Sequence, residues 1–166
     1  GGSIEFLNWT FDVPNKNSLH GFVVDDINSD GKFDFVARSD RYHWDGLFPS
    51  INIGNASFDC LNFSNGLPRY DSNKPDTSSK IYTSQFSLCD LNNDGWLDIS
   101  SATGNGGSTF LKEPCQYYNW VSDGKGNWTS YSDGYPTYEA AGTVLVSDID
   151  NDLDLDVLLT TSDVFN

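Results

Sequence analysis

Three stretches of this chain align residue for residue, and that repetition limits its fold more than any other feature. They are Asp26-Ile-Asn-Ser-Asp-Gly-Lys-Phe-Asp34, Asp90-Leu-Asn-Asn-Asp-Gly-Trp-Leu-Asp98 and Asp148-Ile-Asp-Asn-Asp-Leu-Asp-Leu-Asp156. Each carries an oxygen-bearing side chain at loop positions 1, 3, 5 and 9. Positions 2 and 8, and the residue just after the stretch (position 10), are apolar. The starts lie 64 and then 58 residues apart, the size of one four-stranded unit. At 166 residues in all, the chain is expected to form one three-repeat domain over residues 1–166.

The flanks say what kind of unit repeats. Apolar residues alternate before each loop, as Phe22 and Val24, Phe86 and Leu88, Val144 and Val146. They alternate again afterwards, as Phe33 and Phe35, Leu97 and Ile99, Leu155 and Val157. A period of two, rich in aromatic and β-branched residues, marks strands on both sides. Each loop therefore joins two antiparallel strands. The same short motif opens an EF-hand, but that loop needs a bidentate Glu at position 12. Here that position is Ala37, Ser101 and Leu159, so an EF-hand is excluded.

Oxygen side chains at positions 1, 3 and 5 of a tightly curled loop converge on one centre. Ca²⁺ takes 6–8 oxygens at about 2.3–2.6 Å, whereas Mg²⁺ demands a smaller octahedron and keeps its waters. Calcium, up to three ions, is the expected cofactor. Gly31 and Gly95 at position 6 permit the sharp turn; Leu153 stands there in the third loop and is expected to strain it. That loop compensates in charge, with four Asp at its ligand positions where the others have three.

Composition agrees. Of 24 acids, 21 are Asp, against 9 Lys and Arg, for a net charge of −15. Asp with abundant Asn, Ser and Gly favours turns over helices. Such an acidic chain is repelled by nucleic acid and by anionic lipid. No apolar run approaches the ~20 residues that span a bilayer. Four N-x-[ST] sequons, at Asn8, Asn55, Asn62 and Asn127, are glycosylation candidates and point to an extracellular, secreted or cell-surface location. The chain lacks Met and an apolar leader, so it reads as processed or excerpted. Cys60, Cys89 and Cys115 allow one disulfide with one thiol left over, or an intermolecular bond.

A second element recurs upstream of the loops. Asn8-Trp9-Thr10 precedes the first, Ser57-Phe58 the second, and Asp123-Gly-Lys-Gly-Asn-Trp-Thr129 the third. Asp123-Gly124 signals a hairpin turn, with a strand expected from Trp128. The stretch from Gly66 to Ser79, with Pro68 and Pro75, reads as a surface connector.

The unit of strand, D-x-[DN]-x-D-G-x-x-D loop, strand and hairpin resembles the FG-GAP or VCBS repeat of integrin-α-like β-propellers. The resemblance runs through the whole chain in three copies and is best from Tyr117 to Leu159. It implies four-stranded antiparallel blades with calcium in the hairpin between the two inner strands. By position, the implied ligands are Asp26, Asn28, Asp30 and Asp34; Asp90, Asn92, Asp94 and Asp98; and Asp148, Asp150, Asp152 and Asp156. Lys32, Trp96 and Asp154 are implied to offer backbone carbonyls.

The phase of the repeats leaves two half-blades. Ile4 to Phe11 reads as outer strands and Val144 to Thr160 as inner strands. Propellers typically have four to eight blades, so completion by strand sharing between chains, or within a longer chain, is expected. The function expected is an extracellular calcium-binding structural or adhesion module, a homo-oligomer or filament. The alternative is a propeller-type lectin, with Trp44, Trp120, Tyr117 or Tyr118 stacking on a glycan and Tyr42-His-Trp44-Asp45 as the most exposed stretch. Enzyme activity is not expected: His20 and His43 have no G-x-S-x-G serine, and Gly104-Asn-Gly-Gly107 has no P-loop Lys-[ST] after it.

Overall fold

A computed structural model describes residues 19–39, 46–55, 57–59, 62–67, 83–103, 117–131 and 141–161. Its strands are β1 (Leu19–Asp25), β2 (Asp34–Ser39), β3 (Gly46–Gly54), β4 (Ser57–Asp59), β5 (Thr83–Cys89), β6 (Asp98–Thr103), β7 (Tyr117–Ser122), β8 (Trp128–Tyr131), β9 (Ala141–Ser147) and β10 (Asp156–Thr161). They form three antiparallel sheets in the orders β1-β2-β3-β4, β5-β6-β7-β8 and β9-β10. Each sheet starts with the hairpin around one acidic loop. Two four-stranded units and one two-stranded hairpin are thus formed among the described residues. The described sheets remain open and do not close into a ring. No described helix is long and apolar enough to cross a membrane. The outer-strand reading of Ile4 to Phe11, and the stretches at Asn8-Trp9-Thr10, Tyr42 to Asp45 and Gly104 to Gly107, fall outside the described residues.

The three hairpins share one register. Val23 pairs with Val36, Ser87 with Ser100 and Leu145 with Leu158. On the opposite face Val24 pairs with Phe35, Leu88 with Ile99 and Val146 with Val157. Because side chains alternate across a strand, each hairpin has two distinct faces. The face bearing Phe22, Val24 and Phe35, and its equivalents, is here called the front; the face bearing Val23 and Val36 is the back.

The sheets stack front to back. Val36, Leu47 and Ile51 of the first sheet, with Val23, meet Phe86, Leu88, Ile99 and Trp120 of the second in one buried cluster. Ala102 and Tyr117 on the back of the second meet Val144, Val146, Val157 and Leu159 on the front of the third. The Ser87 hydroxyl also donates to the Val144 carbonyl at 3.3 Å. Polar groups inside this second joint satisfy one another: Ser100 Oγ bonds the Tyr117 hydroxyl and donates to Asn119 Oδ1 at 2.7 Å. Burial of unpaired hydroxyls would be costly, so this chain of bonds is what admits serine to the interior.

The connector begins differently from its sequence reading. Asn65 forms a parallel bridge with Asn127, its N–H donates to Gly126 O at 3.0 Å, and Trp128 N–H donates back to Asn65 O at 2.8 Å. Trp128 Nε1 donates to Phe63 O at 3.1 Å, and Leu67 enters the core. Residues 62–67 therefore form a seam between the first and second sheets, and Leu67 is no surface residue. A polar, glycine-bearing sequence hides this because its contacts are made by backbone. Residues 68–79 lie outside the described residues.

Candidate metal centres

Each acidic loop is built by the same backbone events. Position 4 is left-handed in all three, at Ser29 (φ 54), Asn93 (φ 56) and Asn151 (φ 62). So is position 6, at Gly31 (φ 82), Gly95 (φ 90) and Leu153 (φ 78). Glycine adopts such angles freely, whereas an L side chain is strained there. The strain expected at Leu153 is present.

The position 1 carboxylate organises the turn. Asp26, Asp90 and Asp148 each accept the N–H of position 5 on Oδ1, at 3.0, 3.0 and 3.1 Å. Their Oδ2 atoms accept the N–H of position 6, at 2.8, 2.8 and 3.1 Å. Position 3 (Asn28, Asn92, Asp150) accepts the same position 5 N–H at 3.2, 3.0 and 3.2 Å. Position 5 (Asp30, Asp94, Asp152) accepts the N–H of position 7, at 2.9 Å in every copy. A chain so curled turns the oxygens of positions 1 and 3 towards a common point.

Position 9 does more than its sequence reading assigned to it. Oδ2 of Asp34, Asp98 and Asp156 accepts the position 2 N–H across the loop, at 3.0, 2.9 and 2.9 Å. Oδ1 of Asp34 also takes the Asn52 N–H of β3, and Oδ1 of Asp98 the Ser122 N–H of β7, both at 2.8 Å. The acid thus latches the loop to the third strand of its sheet. In the third repeat the described residues include no such strand. A latch of this kind joins residues 18 to 24 apart, and no local pattern encodes it.

Burial sets the electrostatics. Desolvation pushes Asp98 up to about 6, against the pull of the Ser122 and Leu91 N–H groups, with Asp94 and Asp90 adding repulsion. Asp34 is raised for the same first reason. Asp30 is lowered, chiefly by its bond to Lys32 Nζ at 2.8 Å, and Lys32 is correspondingly raised. The lysine at position 7 thus sets its ammonium on a position 5 acid of its own loop. Trp96, the equivalent residue in loop two, lays its indole where a Cβ on Gly124 would sit, 2.3 Å from the ring. Ser29 Oγ donates to Gly95 O at 3.3 Å, so the first two loops touch.

In the third loop, carboxylate oxygens of Asp148, Asp150 and Asp156 all lie within 4.8 Å of one another. Oxygens bound to one Ca²⁺ are separated by up to about 5 Å, twice the bond length. Three carboxylates held this close repel unless a cation sits among them, so the residues present fit the ion. Loops one and two carry Asn at position 3 on the same backbone.

Other sequence candidates separate. Tyr117 and Trp120 are buried, and Tyr118 stacks on Trp120 at 5.8 Å, so neither Tyr117 nor Trp120 offers a face to a sugar. Trp44 lies outside the described residues, as do Cys60, Cys115 and Asn8. Cys89 is a buried free thiol, pushed up to about 12 by burial and then by Asp98 and Asp90. Asn62 Nδ2 donates to Asp59 at 2.9 Å and Asn127 Nδ2 to Asp123 at 2.6 Å, while Asn55 is exposed at the β3–β4 turn with φ 52.

No curated protein and no solved structure matched the chain. A family model described as FG-GAP-like repeat matched residues 90–159, from the first acid of loop two to the end of the third hairpin. Over that stretch the chain is similar to FG-GAP-like repeats.

Proposed function

We propose that the protein is an extracellular, non-enzymatic structural module. In this reading its three hairpin loops bind calcium, and it assembles with copies of itself or with a longer chain. The observation that carries this is the loop geometry: three loops with the same pair of left-handed residues and the same carboxylate bonds. Asp26, Asp90 and Asp148 with Asn28, Asn92 and Asp150 would hold the ion from one side, and Asp34, Asp98 and Asp156 from the other. The position 5 acids and the carbonyls of Lys32, Trp96 and Asp154 would complete the shell. Bound calcium would neutralise charge at the loops, and three ions would bring the formal −15 to −9. Less self-repulsion favours the compact state and contact between copies. The position 9 acids already accept backbone N–H groups, which suits a structural role better than proton transfer. Millimolar calcium outside cells matches the affinity range of extracellular modules. Of the aromatics named for the lectin reading, Tyr117 and Trp120 are buried and Tyr118 is half-buried against Trp120.

Asp94→Ala tests the reading. Asp94 is exposed and bonds Trp96 N–H and Asn92 Nδ2, so its loss should barely change the calcium-free protein. At calcium a hundredfold above Kd, one lost site removes about 2.7 kcal/mol of linked stability. Titration calorimetry should give one ion fewer than wild type, with a lower Tm only when calcium is present. Unchanged stoichiometry would show the loop assignment to be wrong.

A further inference from the structure

Both described joints set the back of one sheet on the front of the next, and the stack leaves one such face partly exposed at each end. In joint one, Val23 and Val36 on the back of the first sheet cover Phe86, Leu88 and Ile99 on the front of the second. In joint two, Ala102 and Tyr117 on the back of the second sheet, with Ser87, meet Val144, Val146 and Val157. The front of the first sheet carries the equivalent Phe22 and Val24, 71% and 50% exposed, beside half-buried Phe35. Ala37 and Phe48, farther along that face, are buried. The back of the third sheet carries the paired Leu145 and Leu158, 51% and 53% exposed. The equivalent register positions at the joints between sheets are buried or half-buried.

We propose that a second copy of this chain covers these faces head to tail. The Phe22–Val24 front of one copy packs on the Leu145–Leu158 back of the next, continuing the stack through a third joint. The inference deepens the self-assembly part of the proposed function, and rests on it. Continuity with the existing joints selects the occupant. A front lined by Phe and Val, like Phe86, Leu88 and Ile99, meets a back lined by aliphatic pairs, as Val23 and Val36 line joint one. The front and the back are different surfaces, so the contact is heterologous and builds a ring or a filament. Both partners are acidic, so screening by salt and neutralisation by calcium strengthen the contact.

The test uses the full chain in calcium, with sedimentation velocity across a range of concentrations. Phe22→Asp removes the front and Leu158→Asp the back, both at exposed positions where folding should survive, as checked by circular dichroism and calcium stoichiometry. Thr129→Asp, exposed on β8, adds the same charge elsewhere. Wild type and Thr129→Asp should associate. Each face variant alone should be monomeric, with association weakened by more than about tenfold, as expected for an interface anchor. Mixing the two variants leaves one intact front and one intact back, so they should form a 1:1 dimer and nothing larger. Self-association of Leu158→Asp at the wild-type level would overturn the proposal, as would a mixture that stays monomeric. A wild-type monomer that still binds calcium overturns the joint and leaves the calcium reading standing. Head-to-tail association without calcium binding does the reverse.

Discussion

Replacing Leu153 with glycine isolates one backbone angle. The residue sits at φ 78 with its side chain 89% exposed, so the change removes almost no packing. A left-handed angle costs an L-residue about 1–2 kcal/mol. Glycine recovers this but frees the unfolded chain, which returns about 0.5–1 kcal/mol. The net gain is about 0.5–1 kcal/mol, and it belongs to the β9–β10 hairpin alone. Global unfolding would dilute such a local effect, so native-state hydrogen exchange is the better assay. Amides of β9 and β10 should become about two- to fivefold more protected, while those of β5 and β6 stay unchanged. The reciprocal change, Gly95→Leu, adds a Cβ that meets nothing within 4 Å at φ +90. It should therefore lose a similar amount from the second hairpin for conformational reasons only. If Leu153→Gly leaves protection unchanged or lowers it, the strain argument is wrong.

Three further outcomes are expected. In calcium-free buffer, Asp98 binds its proton more tightly folded, at about 6, than unfolded, at the ordinary 3.8. Its contribution to stability is therefore present below about 4 and lost as pH rises through 6, about 3 kcal/mol in all. The urea midpoint should be higher at pH 5 than at pH 7, and Asp98→Asn should flatten the difference. Gly66→Ala would place a Cβ 2.0 Å from Trp128 O at φ +92, so the seam must shift; a loss of about 3 kcal/mol is expected in urea unfolding. Lys32→Gln frees the Asp30 carboxylate from an ammonium that competes with any cation. It should tighten calcium binding at the first loop in calorimetry and leave the other two sites unchanged.

Much of this architecture was legible in the residue pattern. Alternation around Phe22 and Val24, Phe86 and Leu88, and Val144 and Val146 located the inner hairpins, because a strand with one buried face has period two. The recurring acids marked the loops because short carboxylates bond their own backbone nearby. The second job of Asp34 and Asp98 escaped notice, since its partners on β3 and β7 become neighbours only after the sheet forms. Ser100 and Ser101 are buried and Ser87 half-buried because their hydroxyls find partners there, which their polar type alone does not reveal. Tyr117 and Trp120 stand as candidate sugar platforms in the sequence, although an aromatic in a blade more often packs in the core. The strand pairing that buries them is long-range, and composition does not reveal it.

The position 9 latch also has a mechanical meaning. Tension applied at Ser122 meets β7 held by β6 and β8 on its flanks and by the Asp98 carboxylate at the loop. Bonds loaded together along such a strand share the force and must fail nearly at once. Tension applied at Thr161 meets β10, paired in the described sheet with β9 alone. Among the described residues Asp156 accepts the Ile149 N–H of its own loop and no N–H from another strand. Those pairs open one after another, like a zipper. Of the three described sheets, the third would yield first under load, and a neighbour stacked on Leu145 and Leu158 would reinforce it.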